Sequence, residues 1–328
     1  MAAKPKLMII VTGAAGFIGS CLAKHLLKKS SQTLWVVDDF SKSFKKGNWA
    51  GFEGAVKVER NNLIDKLRTE SPMVSAIFHL GARTDTTEFN KSIFDRLNVA
   101  YSKALWQESI RLGADFIYAS SAATFGGGEH GYSDGLEGIE LLEPLNPYGA
   151  SKQEFDLWVK EQKEQPKFWA GLKFFNVYGP NEFHKSRMAS VIFHAFNQIQ
   201  ENGSMKLFRS HRDDYSDGGQ LRDFIYVKDL ISIIDFLSDH DVPSNLYNVG
   251  TGQARSFYDL AVATFEALDK PVDIKFIDTP SDIRDKYQYF TEADMSRLLE
   301  LGFEGTQYNL ESGVKDYVTS YLLPSKHF

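Results

Sequence analysis

The sequence predicts an α/β protein, in which a doubly wound parallel sheet is joined by a smaller, discontinuous α/β domain. Three features support this fold class. Short apolar runs alternate with helical segments through the first half, a glycine-rich turn follows the first run, and the pattern becomes irregular after Asn176. Apolar runs without polar alternation are typical of strands buried on both faces, and strand–helix–strand repeats make such strands parallel.

The individual elements follow from the same pattern. Strands are predicted at residues 7–12, 34–38, 55–59, 76–80, 115–119 and 170–175. Helices are predicted at 17–29, 98–112 and 148–162, with Gly113 ending the second of them in the left-handed conformation. In the second half we expect a helix at 188–200, a polar, mobile loop at 209–220, a return to the first domain at 224–237, a strand and turn at 247–252, and a helix near 292–299.

The composition is that of an ordinary globular protein and disfavours several classes of function. Of 328 residues, 43% are hydrophobic, and the formal net charge of −6 argues against a nucleic-acid binder, which usually has a basic face. Cys21 is the only cysteine, so no internal disulfide can form and a reducing, cytoplasmic setting is expected. We find no stretch of about twenty apolar residues, so we expect no membrane span. We also expect no metal site.

A glycine-rich turn joins the first predicted strand to the first predicted helix. Gly13, Gly16 and Gly19 suit three separate tasks there, namely a tight turn, approach of the backbone to a pyrophosphate, and close packing of the helix on the strand. The N-terminus of the helix would offer free N–H groups and a partial positive charge to the phosphates. A buried strand before the turn and a helix after it therefore predict a Rossmann-type dinucleotide site.

The second predicted strand ends in two acids, Asp38 and Asp39. They follow the turn by about twenty residues, where a dinucleotide fold places the acid that binds a ribose hydroxyl. Two acids there would repel a 2′-phosphate and favour NAD. The next loop is basic, however, and its Lys42, Lys45 and Lys46 would neutralise a 2′-phosphate. The choice therefore stays open between NADP, which we expect to be bound, and NAD.

A tyrosine and a lysine four residues apart, Tyr148 and Lys152, would share one face of a helix. A free tyrosine has a pKa near 10, so a base at neutral pH would need about 4 kcal/mol of differential stabilisation. The Lys152 ammonium and an oxidised nicotinamide are two positive charges that would favour the phenolate. Ser120 and Ser121 follow the strand at 115–119, at the sheet edge where ligands bind, and Ser121 would orient the reacting oxygen for Tyr148.

Further motifs are spread along nearly the whole chain. They are IFHLGA at 77–82, TTE at 86–88, YASSAATFGG at 118–127, PLNPYG at 144–149, FNVYGP at 175–180, HK at 184–185, MAS at 188–190, RDF at 222–224, YQ at 287–288 and FT at 290–291. With these motifs the chain resembles the extended short-chain dehydrogenase/reductase family, and within it the nucleotide-sugar epimerases that act on an ADP-heptose. The segments 124–127 and 184–190 are the ones specific to that subgroup.

The resemblance implies a reaction. A hydride would leave C6″ of the heptose for the nicotinamide, and the ketone would turn in the site and take the hydride back on its other face. Tyr148 and Lys185 would be the acid/base groups for the two orientations. In this reaction the oxygen on C6″ would occupy a different place in each orientation of the sugar, which is the chemical reason for a second such group.

The same resemblance implies site residues and an assembly. The implied cofactor contacts are Phe17, Ile18, Leu80, Gly81, Ala82, Arg83, Thr84, Asn98, Tyr148, Lys152 and Val177. The implied substrate contacts are Ser121, Asn176, Lys185, Arg187, His194, Phe208, Arg209, Ser210, His211, Arg222 and Tyr287. Arg222 suits a diphosphate because its rigid fork bonds two oxygens at once. Self-association into a homo-oligomer is implied as well.

We expect residues 1–175 plus about 222–250 to bind the dinucleotide, and about 176–221 plus 251–328 to bind the substrate. Some positions depart from the family pattern. Arg83 stands where a smaller residue is expected, Arg187 where a serine is expected, and Asp39 where an uncharged residue is expected, while the loop at 209–220 is long. These departures affect the preference for sugar and cofactor more than the type of reaction.

Three alternative functions remain. A UDP-sugar 4-epimerase, such as a UDP-galactose 4-epimerase, would use the same glycine turn, Ser121 and Tyr148 without needing Lys185. A 4,6-dehydratase needs an acid pair after the strand-end serine, where this chain has Ala122, Ala123 and Thr124 instead. A dinucleotide-sensing protein without catalysis is disfavoured because the tyrosine and the lysine of the predicted pair are both present.

Overall fold

A parallel sheet forms the centre of the computed structural model, which describes residues 7–280, 284 and 288–328. Its strands, numbered along the chain with those of the other sheets, are β1 (Met8–Thr12), β2 (Thr33–Asp38), β3 (Val56–Glu59), β4 (Val74–His79), β5 (Asp115–Ser121), β6 (Trp169–Phe174) and β10 (Asn245–Val249). Their order in this seven-stranded sheet is β10-β6-β5-β4-β1-β2-β3, and every neighbouring pair is parallel. The chain therefore winds outward from β1 in both directions, which places a topological switch point between β1 and β4.

Two smaller sheets are formed by the second half of the chain. Their strands are β7 (Asn176–Tyr178), β8 (Met205–Phe208), β9 (Leu221–Tyr226), β11 (Ala254–Ser256), β12 (Ile274–Ile277) and β13 (Phe290–Thr291). Strand β9 pairs in parallel with β7 and β13 and antiparallel with β11. Strands β8 and β12 form a separate parallel pair.

Helices cover the sheets. They are α1 (Phe17–Lys29), α2 (Lys46–Trp49), α3 (Leu63–Glu70), α4 (Lys91–Phe94), α5 (Tyr101–Leu112), α6 (Pro147–Lys160), α7 (Val191–Asn202), α8 (Val227–Asp239), α9 (Phe257–Ala267), α10 (Ser296–Glu300) and α11 (Leu310–Tyr317). A π-helical stretch, Asp95–Ala100, joins α4 to α5, and a 3₁₀ segment, Phe183–Met188, precedes α7. None of the helices in the described part of the chain is long and apolar enough to cross a membrane.

The core is divided between the two faces of the large sheet, because successive residues of a strand point to opposite sides. Ile9 and Val11 of β1 pack in a cluster that includes residues of α1 and α8, whereas Ile10 packs in a cluster that includes residues of α3, α5 and α6. A third cluster, which includes Ile199 and Phe265, fills the space between α7, α9 and the β8–β12 pair. Burial on both faces explains why inner strands of this sheet such as β1 and β2 are mostly apolar, whereas the edge strand β3 is largely exposed.

The structure confirms the α/β fold class and the strands and helices predicted for the first half, with slightly different ends. Gly113 follows α5 with a φ of +63°, as expected for a left-handed cap. The predicted helix at 188–200 begins only at Val191, because residues before it form the 3₁₀ segment. Two elements of the segment that was expected to return to the first domain lie there, because α8 packs on α1 and β10 joins the large sheet. Strand β9, by contrast, belongs to a smaller sheet.

Candidate active site

The glycine turn lies at the carboxyl end of β1, at the switch point of the large sheet. Gly13 has a φ of +71°, and a Cβ at this position would lie 2.7 Å from the backbone of Gly81. A Cβ on Gly19 would collide with the Gly13 carbonyl oxygen, so α1 packs directly against the turn. Helix α1 begins after Gly16 with neither a side-chain cap nor an acid in its first turn. Its first N–H groups are therefore suited to a phosphate.

A cleft of 530 Å³ opens beside this turn. Its walls include most of the residues predicted to bind a cofactor, together with one predicted acid/base group: Gly13, Gly16, Phe17, Ile18, Gly19, Asp38, Asp39, Lys45, Leu80, Gly81, Ala82, Arg83, Thr84 and Lys185. The cleft is also lined by residues that the sequence did not single out, namely Thr12, Val37, Phe44, Arg60, Asp85, Leu97 and Tyr101, and by Lys42, His184 and Met188, which the sequence named only in the basic loop and in the family motifs. Its volume falls within the usual range for cofactor sites. The uncapped helix and the crowded glycine turn fit a dinucleotide pyrophosphate.

The acid at the end of β2 is tied to the glycine turn. Asp38 Oδ2 accepts a hydrogen bond from the N–H of Ala15 at 2.9 Å, and its Oδ1 accepts one from the N–H of Asp39 at 2.7 Å. The ammonium of Lys45 lies 3.5 Å from the same carboxylate. Asp39 accepts instead from Ser41, whose hydroxyl holds the pKa of Asp39 below its ordinary value. Lys45 thus offsets one of the two negative charges at this end of the cleft.

A buried histidine joins β1 and β4 beneath the cleft. His79 Nδ1 is hydrogen-bonded to the Thr12 hydroxyl at 2.7 Å, and its Nε2 to the Ser102 hydroxyl at 2.8 Å. Thr12 also accepts the N–H of Gly81 at 3.2 Å. Burial lowers the pKa of His79 to about 3, so the ring stays neutral. This network fixes the two strand ends on which the cleft is built.

Asn98 connects the wall of the cleft to helix α6. Its Oδ1 accepts the N–H of Arg83 at 2.8 Å, and its Nδ2 donates to the Arg83 carbonyl at 3.0 Å and to the Ser151 hydroxyl at 2.9 Å. With the side chain fully occupied and only 1% exposed, Asn98 positions the predicted cofactor residue Arg83. Its direct contact with a cofactor stays a prediction.

The strand-end serine and the tyrosine of α6 are brought together. Ser121 is the last residue of β5, and its hydroxyl lies close enough to Tyr148, in the first turn of α6, to lower the pKa of the phenol. Asn146 caps this helix by accepting the N–H of Gly149 at 2.9 Å. A Cβ on Gly149 would lie 2.7 Å from the Ala123 carbonyl oxygen, so only glycine lets α6 start this close to the end of β5. That approach brings Ser121 near Tyr148, whereas the role of Ser121 in orienting a reacting oxygen stays a prediction.

The electrostatics of the tyrosine and the lysine differ from what we expected. Burial raises the pKa of Tyr148, the hydrogen bond with Ser121 lowers it, and the charge of Asp156 raises it. The Lys152 ammonium donates to the Ala119 carbonyl at 2.8 Å, and burial lowers its pKa to about 8. The expected lowering of the tyrosine pKa is therefore not a property of the protein alone. One of the two positive charges that would produce it belongs to an oxidised nicotinamide.

A buried ion pair lies on the inner face of α6, beneath these groups. Asp156 accepts from Tyr118 at 2.9 Å, from Ser120 at 2.6 Å and from the Lys173 ammonium at 3.2 Å. The ammonium also donates to Thr124 at 2.7 Å, and both ionic side chains are fully buried. Because every oxygen and the ammonium are satisfied, the pair holds β5, β6, α6 and the turn after Ser121 in one arrangement.

Lys185 reaches the cleft from the 3₁₀ segment before α7. Its ammonium lies 5.4 Å from the centre of the Phe17 ring, at the start of α1. Burial lowers the pKa of the ammonium, and the nearby Glu182 carboxylate opposes this. The structure thus places Lys185 beside residues predicted to hold the cofactor. Ser121, Tyr148 and Lys152 are not part of the cleft wall and lie at the ends of β5 and α6.

The two arginines that depart from the family pattern meet at one acid. Asp85 is 3.2 Å from the guanidinium of Arg83 and 3.4 Å from that of Arg187. Hydrogen bonds from Thr87 lower the pKa of Asp85, and both arginines add to this effect. Arg187 also donates to the Thr87 hydroxyl. The departures are therefore coupled, because they share one carboxylate at the rim of the cleft.

The residues predicted to bind substrate are spread over the second half of the chain. Asn176 is exposed at the start of β7, Val177 follows it and is partly buried, and His194 is partly buried on α7 beside the Phe193 ring. Phe208 ends β8, and Arg209, Ser210 and His211 continue into the loop that we predicted at 209–220. Tyr287 lies outside the described residues. Contact of these residues with a substrate stays a prediction.

The loop at 209–220 is anchored in the second half of the chain. Ser210 N donates to Asp217 at 2.9 Å, and the N–H of His211 donates to the Tyr289 hydroxyl at 2.9 Å. Arg222, buried on β9, donates to the carbonyls of Leu221 and Gln288. Gln288 in turn donates to the Gly126 carbonyl, just after the turn that follows Ser121. The predicted diphosphate residue is thus linked through one side chain to the Ser121 end of the site.

Known proteins resemble this chain over nearly its whole length. Residues 9–250 match the model of the NAD dependent epimerase/dehydratase family. The chain is 46% identical over 325 residues to the ADP-L-glycero-D-manno-heptose-6-epimerase of Fusobacterium nucleatum, covering 96% of this chain and 98% of that protein. It is 45% identical over 317 residues to a protein of the same name from Nitratidesulfovibrio vulgaris, with 96% and 98% covered.

A solved structure gives the same result. The crystal structure of Helicobacter pylori ADP-L-glycero-D-manno-heptose-6-epimerase matches with a TM-score of 0.80 at 31% identity, covering 97% of this chain and 96% of that chain. The resemblance that the sequence motifs indicated is therefore confirmed.

The glycine turn offers a matched pair of variants that tests the cofactor cleft. Gly13→Ala should prevent dinucleotide binding, because its Cβ would collide with the Gly81 backbone and displace the turn. Gly203→Ala, at the C-cap of α7, has a similar φ of +68° with nothing within 4 Å of the added Cβ. This second variant should lower the free energy of unfolding by about 1–2 kcal/mol, the usual cost of an alanine in the left-handed conformation, and leave the affinity for the cofactor unchanged. Calorimetric titration of the two variants with NADP and with NAD gives their affinities for each dinucleotide. Unchanged affinity in Gly13→Ala would exclude this turn as the pyrophosphate site.

Proposed function

Because this chain belongs to the NAD dependent epimerase/dehydratase family and is a nucleotide-sugar epimerase, we propose that it inverts C6″ of an ADP-glycero-manno-heptose. The observation that carries this proposal is the position of Lys185, whose ammonium lies 5.4 Å from the Phe17 ring in the cofactor cleft. A UDP-sugar 4-epimerase has no need of a second acid/base group there. The names of the relatives that are 46% and 45% identical favour the heptose reaction as well.

The cofactor is a nicotinamide dinucleotide, which when bound accepts a hydride from the sugar carbon and returns it to the other face. In one orientation of the sugar, Ser121 orients the reacting oxygen and Tyr148 exchanges its proton. The Lys152 ammonium, on the same helix, would act together with the oxidised nicotinamide in favouring the phenolate. In the other orientation, Lys185 exchanges the proton, and its lowered pKa makes it a better base than a surface lysine.

We propose NADP as the preferred dinucleotide. Three cationic side chains, Lys42, Lys45 and Arg60, line the cleft at the end of β2 where the acids lie. Asp38 is engaged by backbone N–H groups and by Lys45 at 3.5 Å, which reduces its repulsion of a 2′-phosphate. NAD is the alternative because Asp39 also lines the cleft.

The remaining features of the account are proposals of the same kind. The dinucleotide would be held by residues 1–175 plus about 222–250, and the sugar by about 176–221 plus 251–328. Arg222 would bind the diphosphate, with Asn176, Arg187, His194, Phe208, Arg209, Ser210, His211 and Tyr287 as further substrate contacts. We also propose that the enzyme is cytoplasmic and forms a homo-oligomer.

Removing either acid/base group should stop epimerisation and leave the fold intact. Tyr148→Phe and Lys185→Ala should each lower kcat by about 10³-fold or more, as is usual for the loss of a positioned acid/base group. Tyr258→Phe and Lys206→Ala, which change exposed residues, are the matched controls and should keep full activity. The assay is conversion of ADP-heptose, with UDP-galactose in parallel. Full activity of Lys185→Ala, or turnover of UDP-galactose alone, would contradict the heptose reaction.

Charge changes at the end of β2 should shift the choice of dinucleotide. Lys45→Ala should weaken NADP about tenfold, the value of one charge-assisted hydrogen bond, and change the affinity for NAD little. Asp39→Asn should act in the opposite direction, because it removes a negative charge that repels the 2′-phosphate. Titration of each variant with both dinucleotides gives the ratio of affinities. A ratio that neither substitution changes would show that no 2′-phosphate is bound here.

A further inference from the structure

A buried carboxylate closes the loop that carries Lys185. Glu182 is fully buried just before the 3₁₀ segment, and it reaches forward to the cap of α7. Its Oε2 accepts the N–H of Ser190 at 2.6 Å, and its Oε1 accepts the Ser190 hydroxyl at 2.6 Å. Bonds of this length to a carboxylate are charge-assisted and strong. The segment 182–190 is therefore a closed loop held at both ends by one side chain.

The backbone inside this loop is held in an unfavourable conformation. Ser186, next to Lys185, has φ +47° and ψ −127°, in a region that residues other than glycine rarely adopt. The N–H of Lys185 donates to the Glu182 carbonyl at 2.9 Å, and the N–H of Ala189 donates to the Ser186 carbonyl at 3.0 Å. Such a conformation persists only where the surroundings enforce it. The hydrogen bonds that Glu182 accepts from Ser190 hold the backbone of the loop in this conformation.

Hydrogen bonds of two neighbouring amide side chains also hold the loop against the glycine turn and α1. The Asn48 amide donates to the carbonyl of Ala15 at 3.1 Å, within the turn, and to the carbonyl of Asn181 at 2.9 Å, beside the loop. It also lies 3.1 Å from His184 Nδ1. The Asn181 amide donates to the Ser20 hydroxyl of α1 at 2.8 Å. Closing the loop therefore fixes Lys185 relative to the turn, and not only relative to its own neighbours.

We propose that Glu182 is the positioning residue for Lys185, acting through its two hydrogen bonds to Ser190. This inference rests on the proposed function, in which Lys185 exchanges a proton with the sugar. Glu182 itself does not line the cleft and touches neither sugar nor cofactor in this account. A carboxylate is required because both of its oxygens accept, whereas a glutamine would offer one acceptor and one donor to the two donors of Ser190. The nearby negative charge also favours the protonated form of Lys185.

The test compares Glu182→Gln and Ser190→Ala with a matched buried carboxylate. Asp229 on α8 is also buried and accepts the N–H groups of Gln307 at 2.8 Å and Tyr308 at 3.2 Å, outside the cleft. Glu182→Gln should lower kcat about 100-fold, the usual effect of a misplaced reacting group, with KM for the nucleotide sugar changed less than about twofold. Asp229→Asn should lower the melting temperature about as much as Glu182→Gln does and leave kcat unchanged.

A second readout does not depend on activity. Hydrogen exchange of the backbone amides at 183–190 should become faster in Glu182→Gln and in Ser190→Ala, and stay unchanged in Asp229→Asn. Ser190→Ala removes one of the two bonds and should lower kcat about tenfold. The double variant should be no worse than Glu182→Gln alone, because both changes open the same contact. If Glu182→Gln does not fold, Ser190→Ala decides the question by the same two measurements.

The outcomes separate this inference from the proposed function. Faster exchange with normal kcat in Glu182→Gln, together with an inactive Lys185→Ala, would overturn the positioning role and leave the two-base reaction standing. Unchanged exchange would overturn the loop closure itself. An active Lys185→Ala would instead overturn the proposed function, whatever Glu182→Gln does. Loss of kcat with faster exchange in both loop variants, and neither change in Asp229→Asn, is the result that we expect.

Discussion

The contact between two backbone segments at the switch point, Gly13 against Gly81, is the constraint on which the rest of the site depends. Strands β1 and β4 end side by side there, and no room remains for a side chain on Gly13. Helix α1 can therefore start immediately after the turn and direct its free N–H groups into the cleft. Hydrogen bonds of the Asn48 amide hold the loop that carries Lys185 against the same turn. A shift of this contact would displace the cofactor cleft together with the loop that carries Lys185.

Buried charged side chains support both proposed acid/base groups, in two different ways. Beneath Tyr148, Asp156 is paired with Lys173, so the carboxylate is neutralised by a neighbouring cation and ties the strands to α6. Behind Lys185, the carboxylate of Glu182 is stabilised by two donors of Ser190. Burying charges in this way is costly unless each one is paired or hydrogen-bonded, so these side chains serve position more than stability. In the proposed reaction, the rigidity that proton exchange requires would come from these polar groups as well as from the apolar core.

The sequence predicts the parts of the molecule that depend on local pattern. Inner strands of the large sheet such as β1 and β2 can be recognised because burial on both faces makes them mostly apolar, and the glycine turn can be recognised because its residues are close in sequence. The short strands β7, β8, β11, β12 and β13 and the helices α2, α3, α4, α9 and α11 were not predicted. The smaller-sheet strands gain their stability from partners far along the chain, so propensity says little about them.

The same limit applies within the site. Glu182 and Asn48 are ordinary polar residues in sequence, and only the fold shows that one closes a loop and the other bridges to it. The meeting of Arg83 and Arg187 at Asp85 joins positions that are far apart in the chain. The pKa of Tyr148 was expected to fall, and burial raises it in the protein alone. Tyr148 and Lys152 were found because residues four apart on a helix share a face.

The central claim is that the hydrogen on the inverted carbon moves to the dinucleotide and back without meeting solvent. The most direct measurement is to run the reaction on ADP-heptose in heavy water and analyse the product by NMR and mass spectrometry. The account predicts an inverted product with no deuterium at C6″. Deuterium at that carbon would contradict the account, because it would show that the carbon itself loses a proton to solvent.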